Sequence, residues 1–255
     1  MNAVRIWNRV FRRVGDKVTE FGTSGMLYRS NKLMYDRDSN TLWHQFLGVP
    51  AVGPLVGSGI KLKLFPSLVT TWQDWLESHP DTTVLSIDTG VYPQRYYEPE
   101  SDPRSIYFDY RSDSGTMFPV PERSSLLPTK GQILGLKLDG QSKAYPLDVL
   151  LDQPVINDSL GTQNVVVVTS PGGAARAYRR GQYQFVSAKT STGAEDAALL
   201  SDQQGREWQA EEDALVLAED PSQRLERLPG HMAYWFGWFA FNPDTEVYRG
   251  VAPSP

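Results

Sequence analysis

Two stretches of the chain, 163 residues apart, carry the same pattern. Trp72-Gln73-Asp74-Trp75 followed by Pro80-Asp81-Thr82-Thr83-Val84 recurs as Trp235-Phe236-Gly237-Trp238 followed by Pro243-Asp244-Thr245-Glu246-Val247. The shared form, W-x-x-W-x4-P-D-T-x-V, takes up four of the seven tryptophans, so the chain reads as an internally duplicated unit. Working backward, Leu62, Phe65 and Pro66 fall on Leu225, Leu228 and Pro229 at the same offset. Trp43 then meets Trp208 at an offset of 165, a two-residue length change of the kind a surface loop tolerates. Phe21 pairs with Phe185, and Arg5-Ile6-Trp7 with Arg176-Ala177-Tyr178. Residues kept in both copies are expected to hold the fold, and residues present in one copy only are where a site is to be sought.

Local patterns say what each copy is made of. Val4 to Val10 alternates apolar and polar residues, which suits a half-buried strand. A turn at Gly15-Asp16 leads into the alternating Lys17-Val18-Thr19-Glu20-Phe21, and Asp38-Ser39-Asn40 turns the chain into a strand at Thr41-Leu42-Trp43. Trp72, Trp75 and Leu76 share one face of a short helix that is expected to start near Ser67 or Leu68. Pro80 ends that helix, and Asp81-Thr82 turns the chain into a strand at Thr83-Val84-Leu85. The residues read as structural anchors are therefore Trp43, Trp72, Trp75 and Asp81, with Trp208, Trp235, Trp238 and Asp244 in the second copy.

The second copy has a prelude. Ile133 to Gly140 reads as a strand into an Asp-Gly turn. Pro146 opens a short helix through Leu151, and Asn157-Asp158-Ser159-Leu160-Gly161 reads as a turn. Val165-Val166-Val167-Val168 reads as a fully buried central strand. By analogy, roughly 40 residues would stand before residue 1 of the first copy, so the expectation is a natural protein that begins earlier. Residues 1–86 are assigned to copy one, 87–130 to a connecting strap rich in Pro, Ser, Asp and Tyr, and 131–255 to copy two with its prelude. The fold class expected is α+β and β-dominated. It comprises two related repeats, each mostly antiparallel strands with a short Trp-bearing helix.

A formal charge of −5 over 255 residues argues against nucleic acid or an anionic lipid surface as the main partner. No apolar run approaches the ~20 residues of a membrane span, and the first residues lack the apolar core of a signal peptide. The absence of cysteine removes disulfides, thiolate nucleophiles and cysteine metal sites. Three isolated histidines (His44, His79 and His231) show no metal-ligand spacing, so neither a metal nor a cofactor is expected.

The run from Phe21-Gly22-Thr23-Ser24-Gly25 through Tyr35-Asp36-Arg37 to Leu42-Trp43 resembles the bacterial and archaeal family catalogued as domain of unknown function 3179. Val52-Gly53-Pro54-Leu55, His79-Pro80-Asp81-Thr82, Ala144-Tyr145-Pro146-Leu147 and Val155-Ile156-Asn157-Asp158 support it. The resemblance implies no established activity, and it suggests an exported or periplasmic protein. It also implies a Tyr-Cys-Pro-x-Cys/Thr-Gly stretch that would fall before Met1. The corresponding place in copy two reads Thr169-Ser170-Pro171-Gly172-Gly173, without cysteine.

The copies differ most between Phe21 and Asp36. There, copy one presents polar and aromatic residues that the matching Phe185 to Ser201 lacks. A ligand site is therefore expected among Ser24, Tyr28, Arg29, Asn31, Tyr35, Asp36 and Arg37, extending to His44 and Gln45. Arg29 and Arg37 would clamp a carboxylate or phosphate between Tyr28 and Tyr35. Against this, Asp36 and Arg37 suit a surface turn with a weak salt bridge. Ser24 lacks the G-x-S-x-G setting of a nucleophile, and Gly53 to Lys61 lacks the lysine placement of a phosphate loop. The functional expectation is a non-catalytic ligand-binding or structural module taking an unknown small ligand. A hydrolase-like enzyme in copy one, with Asp36 or His44 as base, is the alternative. Metal or redox handling through the cysteines the family implies is a second.

Overall fold

The computed structural model describes residues 3–4, 12–14, 17–88, 90–99, 101–189 and 195–250. The first copy opens with three short strands, β1 (Ala3–Val4), β2 (Arg12–Val14) and β3 (Lys17–Thr19). A four-stranded antiparallel meander follows: β4 (Phe21–Tyr28), β5 (Asn31–Asp36), β6 (Leu42–His44) and β7 (Pro50–Val52). Then β8 (Thr70–Thr71), paired with β1, runs straight into helix α1 (Trp72–Ser78). The turn at Gly15-Asp16 and the match of Arg5-Ile6-Trp7 to Arg176-Ala177-Tyr178 lie outside the described residues.

Helix α1 starts four to five residues later than its apolar face suggested. Thr70 and Thr71 are β-branched and paired to β1, and the Thr71 hydroxyl accepts the Asp74 amide at 3.1 Å, an N-cap that fixes the first turn at Trp72. The strap carries a 3₁₀ turn at Gln94–Tyr97 and a short helix, α2 (Phe108–Ser112). Its tyrosines do not all pack: Tyr92, Tyr96, Tyr97 and Tyr107 are exposed. Its last residues do attach, since Thr129 and Gly131 carbonyls accept the amides of Phe236 and Trp235.

The second copy continues with β9 (Gln132–Leu138), β10 (Gln141–Pro146), α3 (Leu147–Asp152), β11 (Val155–Leu160), β12 (Gln163–Thr169) and β13 (Ala175–Arg179). After these come β14 (Phe185–Lys189), β15 (Glu195–Asp202), β16 (Glu207–Ala210), β17 (Ala214–Leu217) and β18 (Arg224–Leu228). It ends with β19 (His231–Tyr234), α4 (Trp235–Phe239) and β20 (Glu246–Val247). The protein is thus a β-dominated α+β fold, with several antiparallel sheets and four short helices among the described residues.

Hairpin β9–β10 closes on Asp139 and Gly140, both at positive φ (50° and 81°), the Asp-Gly geometry whose twist matches the flanking strands. An eight-stranded sheet runs β11-β12-β13-β18-β17-β16-β15-β14, and its two ends are tied by Asn157. That amide accepts the Phe185 N–H at 2.8 Å and donates to the Phe185 carbonyl at 2.7 Å. Asn157-Asp158-Ser159 is therefore strand, not turn; the turn comes at Gly161, where φ is 61°. In β12 the alternation of a strand splits the valines. Val165 and Val167 enter a core with Leu134, Leu136, Tyr145 and Leu150, and Val166 and Val168 enter one with Tyr178, Phe185, Trp208 and Leu215. A third core unites Trp235 and Trp238 with Ile133 and Ala144. Thr83-Val84-Leu85, expected as a strand, pairs with nothing among the described residues; a strand needs a ladder partner, and here none is present.

Candidate functional site

The repeated residues repeat their bonds. The Trp43 indole N–H donates to Asp36 Oδ2 at 2.9 Å, and Trp208 donates to Asp202 Oδ2 at 3.0 Å. Phe21 meets Trp43 edge-on at 6.0 Å, as Phe185 meets Trp208 at 5.7 Å. In both helices the second indole donates to a threonine seven residues on, Trp75 to Thr82 and Trp238 to Thr245, each at 2.9 Å. Those threonines close matched turns with Pro80 and Pro243 at the second position, their amides donating to the His79 and Asn242 carbonyls at 3.1 Å. Asp81 and Asp244 sit exposed at the third position of those turns.

Burial would raise the Asp36 carboxyl, but hydrogen bonds from Ser39 and Trp43 outweigh it and hold the group below the usual carboxylate range. Asp202 is held low in the same way by Trp208 and Arg206. Asp36 is therefore bound into the fold in the same way as its counterpart Asp202. His79 caps the end of α1 and stacks on Trp75, with ring centroids 3.8 Å apart.

With the shared framework removed, a cluster stands out in which the copies meet. The tip of the β4–β5 hairpin is Arg29-Ser30, both at positive φ (49° and 61°). This two-residue turn normally takes Asn-Gly, so the backbone here is strained. What holds it is distant: the Arg29 guanidinium donates to the carbonyl of Ala240, the C-cap residue of α4. That cation completes the negative end of a helix that has no basic residue in its own last turn. Tyr28, next along, packs edge-on to His44 at 5.0 Å and to Phe241 at 5.9 Å, and His44 lies 5.8 Å from Phe241. Phe46 extends the cluster to Phe241, His231 and Trp238, at 5.4, 5.4 and 6.2 Å.

Both histidines are pushed toward the neutral form. Burial lowers His44, the Arg29 charge lowers it further, and burial alone lowers His231. His44 Nδ1 is buried without a hydrogen-bond partner among the described residues. Tyr28 remains 44% exposed, so the cluster has an open side. Phe241 also forms a wall of a polar cleft of ≈ 340 Å³ with Lys137, Gln141, Ser142, Asn242 and Glu246.

Of the residues expected to form a site, the structure brings together Tyr28, Arg29 and His44. Ser24 donates to the Leu33 carbonyl at 2.6 Å and accepts the Met26 amide at 3.0 Å, stitching an irregular stretch of β4. Asn31 is the first residue of β5, opposite Tyr28. Tyr35 is four residues further along that strand, ~13 Å away at strand rise. Its ring crosses β4 where Gly22 leaves room, since a Cβ there would lie 2.6 Å from it. Arg37 donates to the Tyr35 hydroxyl at 3.0 Å, stacks on its ring and lies 3.7 Å from Glu20. Arg29 and Arg37 thus stand at opposite ends of one hairpin and do not form a clamp. Gln45, half-buried, follows His44 in the turn whose Gly48 amide returns to the His44 carbonyl.

The sequence reading missed Phe46, His231 and Phe241. It also missed a second junction, where α1 meets the β12–β13 turn. There Asp74 accepts from the Ser170 hydroxyl at 2.9 Å and from Thr70 at 3.3 Å. A side chain on Gly172 would run into that carboxylate. Gly237, in the place of Asp74 on α4, faces open space.

No group of three or more His, Asp or Glu side chains gathers as a metal site among the described residues, and no described helix is long and apolar enough to cross a membrane. The fold and the junction together define a β-rich duplicated protein with an aromatic–histidine seam between its copies. The model of the family described as protein of unknown function (DUF3179) matches residues 7–245, nearly the whole chain, and the protein belongs to that family. No curated protein and no solved structure matches it.

Proposed function

We propose that the protein is a non-catalytic binding module that takes a small ligand at the seam of Tyr28, His44, Phe46 and Phe241. The observation that carries this is the buried Nδ1 of His44, which has no partner among the described residues in a cluster with one open side. An unpaired buried polar atom costs ~1–3 kcal/mol, an amount that a ligand supplying the missing hydrogen bond recovers. The surrounding rings favour a ligand with a flat, apolar body.

The hydrolase reading finds less support. Ser24 is bonded to backbone and Asp36 is saturated by Ser39 and Trp43, which leaves only His44 acting on a water for that reading.

A screen of aromatic fragments by ligand-detected NMR tests the proposal. His44→Phe keeps the ring and removes Nδ1, so it should abolish the binding of hits that wild type retains, with unchanged circular dichroism. Hits indifferent to His44→Phe would overturn it. So would ester hydrolysis that Ser24→Ala and His44→Phe both abolish.

A further inference from the structure

Beneath α4 the face of the β9–β10 hairpin changes character along its length. Gly135 and Ala144 are register partners packed under the helix, where a Cβ on Gly135 would lie 2.5 Å from the Trp238 ring. By strand alternation, the next pair toward the hairpin tip to face the same way is Lys137 and Ser142. The helix has ended by then, at Phe239, and the cover passes to residues 241–244. The gap left between that loop and the sheet is the polar cleft of ≈ 340 Å³, a volume within the range of small-molecule sites.

The groups on its walls are short of partners. Ser142 is 8% exposed, yet its hydroxyl bonds to no described residue. Polar groups this buried are nearly always hydrogen-bonded, so a hydroxyl left open on a cleft wall is available to a ligand. Lys137 donates to Asn242 Oδ1 at 3.0 Å and has no carboxylate partner among the described residues. Gln141 accepts the Gly161 amide at 3.1 Å through Oε1, and its own amide N–H groups stay free among the described residues. The acceptors are Asp244 and Glu246, the latter 3.4 Å from Lys143. An anionic ligand would meet these two carboxylates, and a cationic one would meet Lys137. The arrangement therefore favours a neutral ligand rich in groups that both donate and accept. Phe241 adds an apolar wall for the flat face of a ring.

We propose that this cleft binds a neutral polyhydroxylated ligand, a saccharide, whose hydroxyls bond to Ser142, Lys137 and Gln141 while its ring packs on Phe241. The site borders the seam at Phe241 but requires neither His44 nor the seam's ligand.

The probes are the methyl glycosides of glucose, galactose, mannose and N-acetylglucosamine, with inorganic phosphate and acetate as anionic controls. Binding to the full chain is detected by saturation-transfer NMR and measured by calorimetry. At least one glycoside should bind. Ser142→Ala should weaken it by roughly threefold to tenfold, the worth of one hydrogen bond, and leave the melting temperature unchanged because no bond within the fold is lost. Lys137→Met should weaken it as well, and His44→Phe should not. Binding of the anions alone, of no glycoside, or of a glycoside that neither cleft variant weakens would overturn the proposal. So would glycoside binding that His44→Phe abolishes, which would assign it to the seam. A clear drop in the melting temperature of Ser142→Ala would overturn it too, because the hydroxyl would then be bonded within the fold.

Discussion

The same hydrogen bond occurs twice in this molecule at the same length but at different depths, which isolates the cost of burial. Trp238 donates to Thr245 and Trp75 to Thr82, both at 2.9 Å. Trp238 is 1% exposed and Thr245 7%, whereas Trp75 and Thr82 are half-buried. Threonine to valine keeps the shape and removes the acceptor. At Thr245 the indole N–H then has neither partner nor water, and the change should cost ~1–3 kcal/mol. At Thr82 the freed N–H can turn to solvent, and the expected cost is ~1 kcal/mol or less.

For a chain of this size, 1 kcal/mol moves the melting temperature by roughly 2–4 °C. Thr245→Val should therefore melt several degrees below Thr82→Val, and urea midpoints should rank the same way. A double-mutant cycle of Trp238→Phe with Thr245→Val would isolate the bond from the volume change and should show coupling near 1 kcal/mol. Equal losses for the two threonine variants would refute the argument. A larger loss at Thr82 would refute it too, since the indoles of α1 would then be as deeply committed as those of α4.

Three further outcomes follow from other contacts. Asp36 and Asp202 have folded-state pKa values below their unfolded ones, so their stabilisation is complete above ~3.9 and is lost as pH falls through the lower folded values. Urea midpoints of Asp36→Asn and Asp202→Asn should accordingly depend less on pH across that range than wild type does. Gly172→Ala drives a methyl into the Asp74 carboxylate and should destabilise by ~1–3 kcal/mol, yet in an Asp74→Ala background it should cost markedly less; purely additive losses would refute the contact. Asn157→Ala removes both bonds that join β11 to β14, and hydrogen exchange at the Phe185 amide should accelerate more than exchange in β12.

What could be read from residues alone was whatever is local. The paired tryptophans, the Pro-Asp-Thr turns, the Asp139-Gly140 hairpin and the buried valine strand all depend on spacing within about ten residues, and spacing is visible in a sequence. Asn157 was misread because Asn-Asp-Ser has turn chemistry in isolation. Its amide is used instead to bridge to the backbone of Phe185, a contact no local rule contains. The Arg29–Arg37 clamp failed for a geometric reason: a hairpin that reverses at Arg29 carries Arg37 to its far end.

The seam was half legible for the same reason. Tyr28, Arg29 and His44 differ between the copies and so stood out by comparison. Phe241 and His231 come from the other copy, and only folding sets them beside His44 and Phe46 respectively. Duplication also explains why a site would arise at a seam and not inside either copy. Each copy spends its repeated residues on its own anchors, Asp36 on Trp43 and Asp202 on Trp208, so those positions are not free to vary. Contacts between the copies use residues outside that repeated set. Asp74, Ser170 and Gly172 hold one. Tyr28, Arg29, His44 and Phe241 form another.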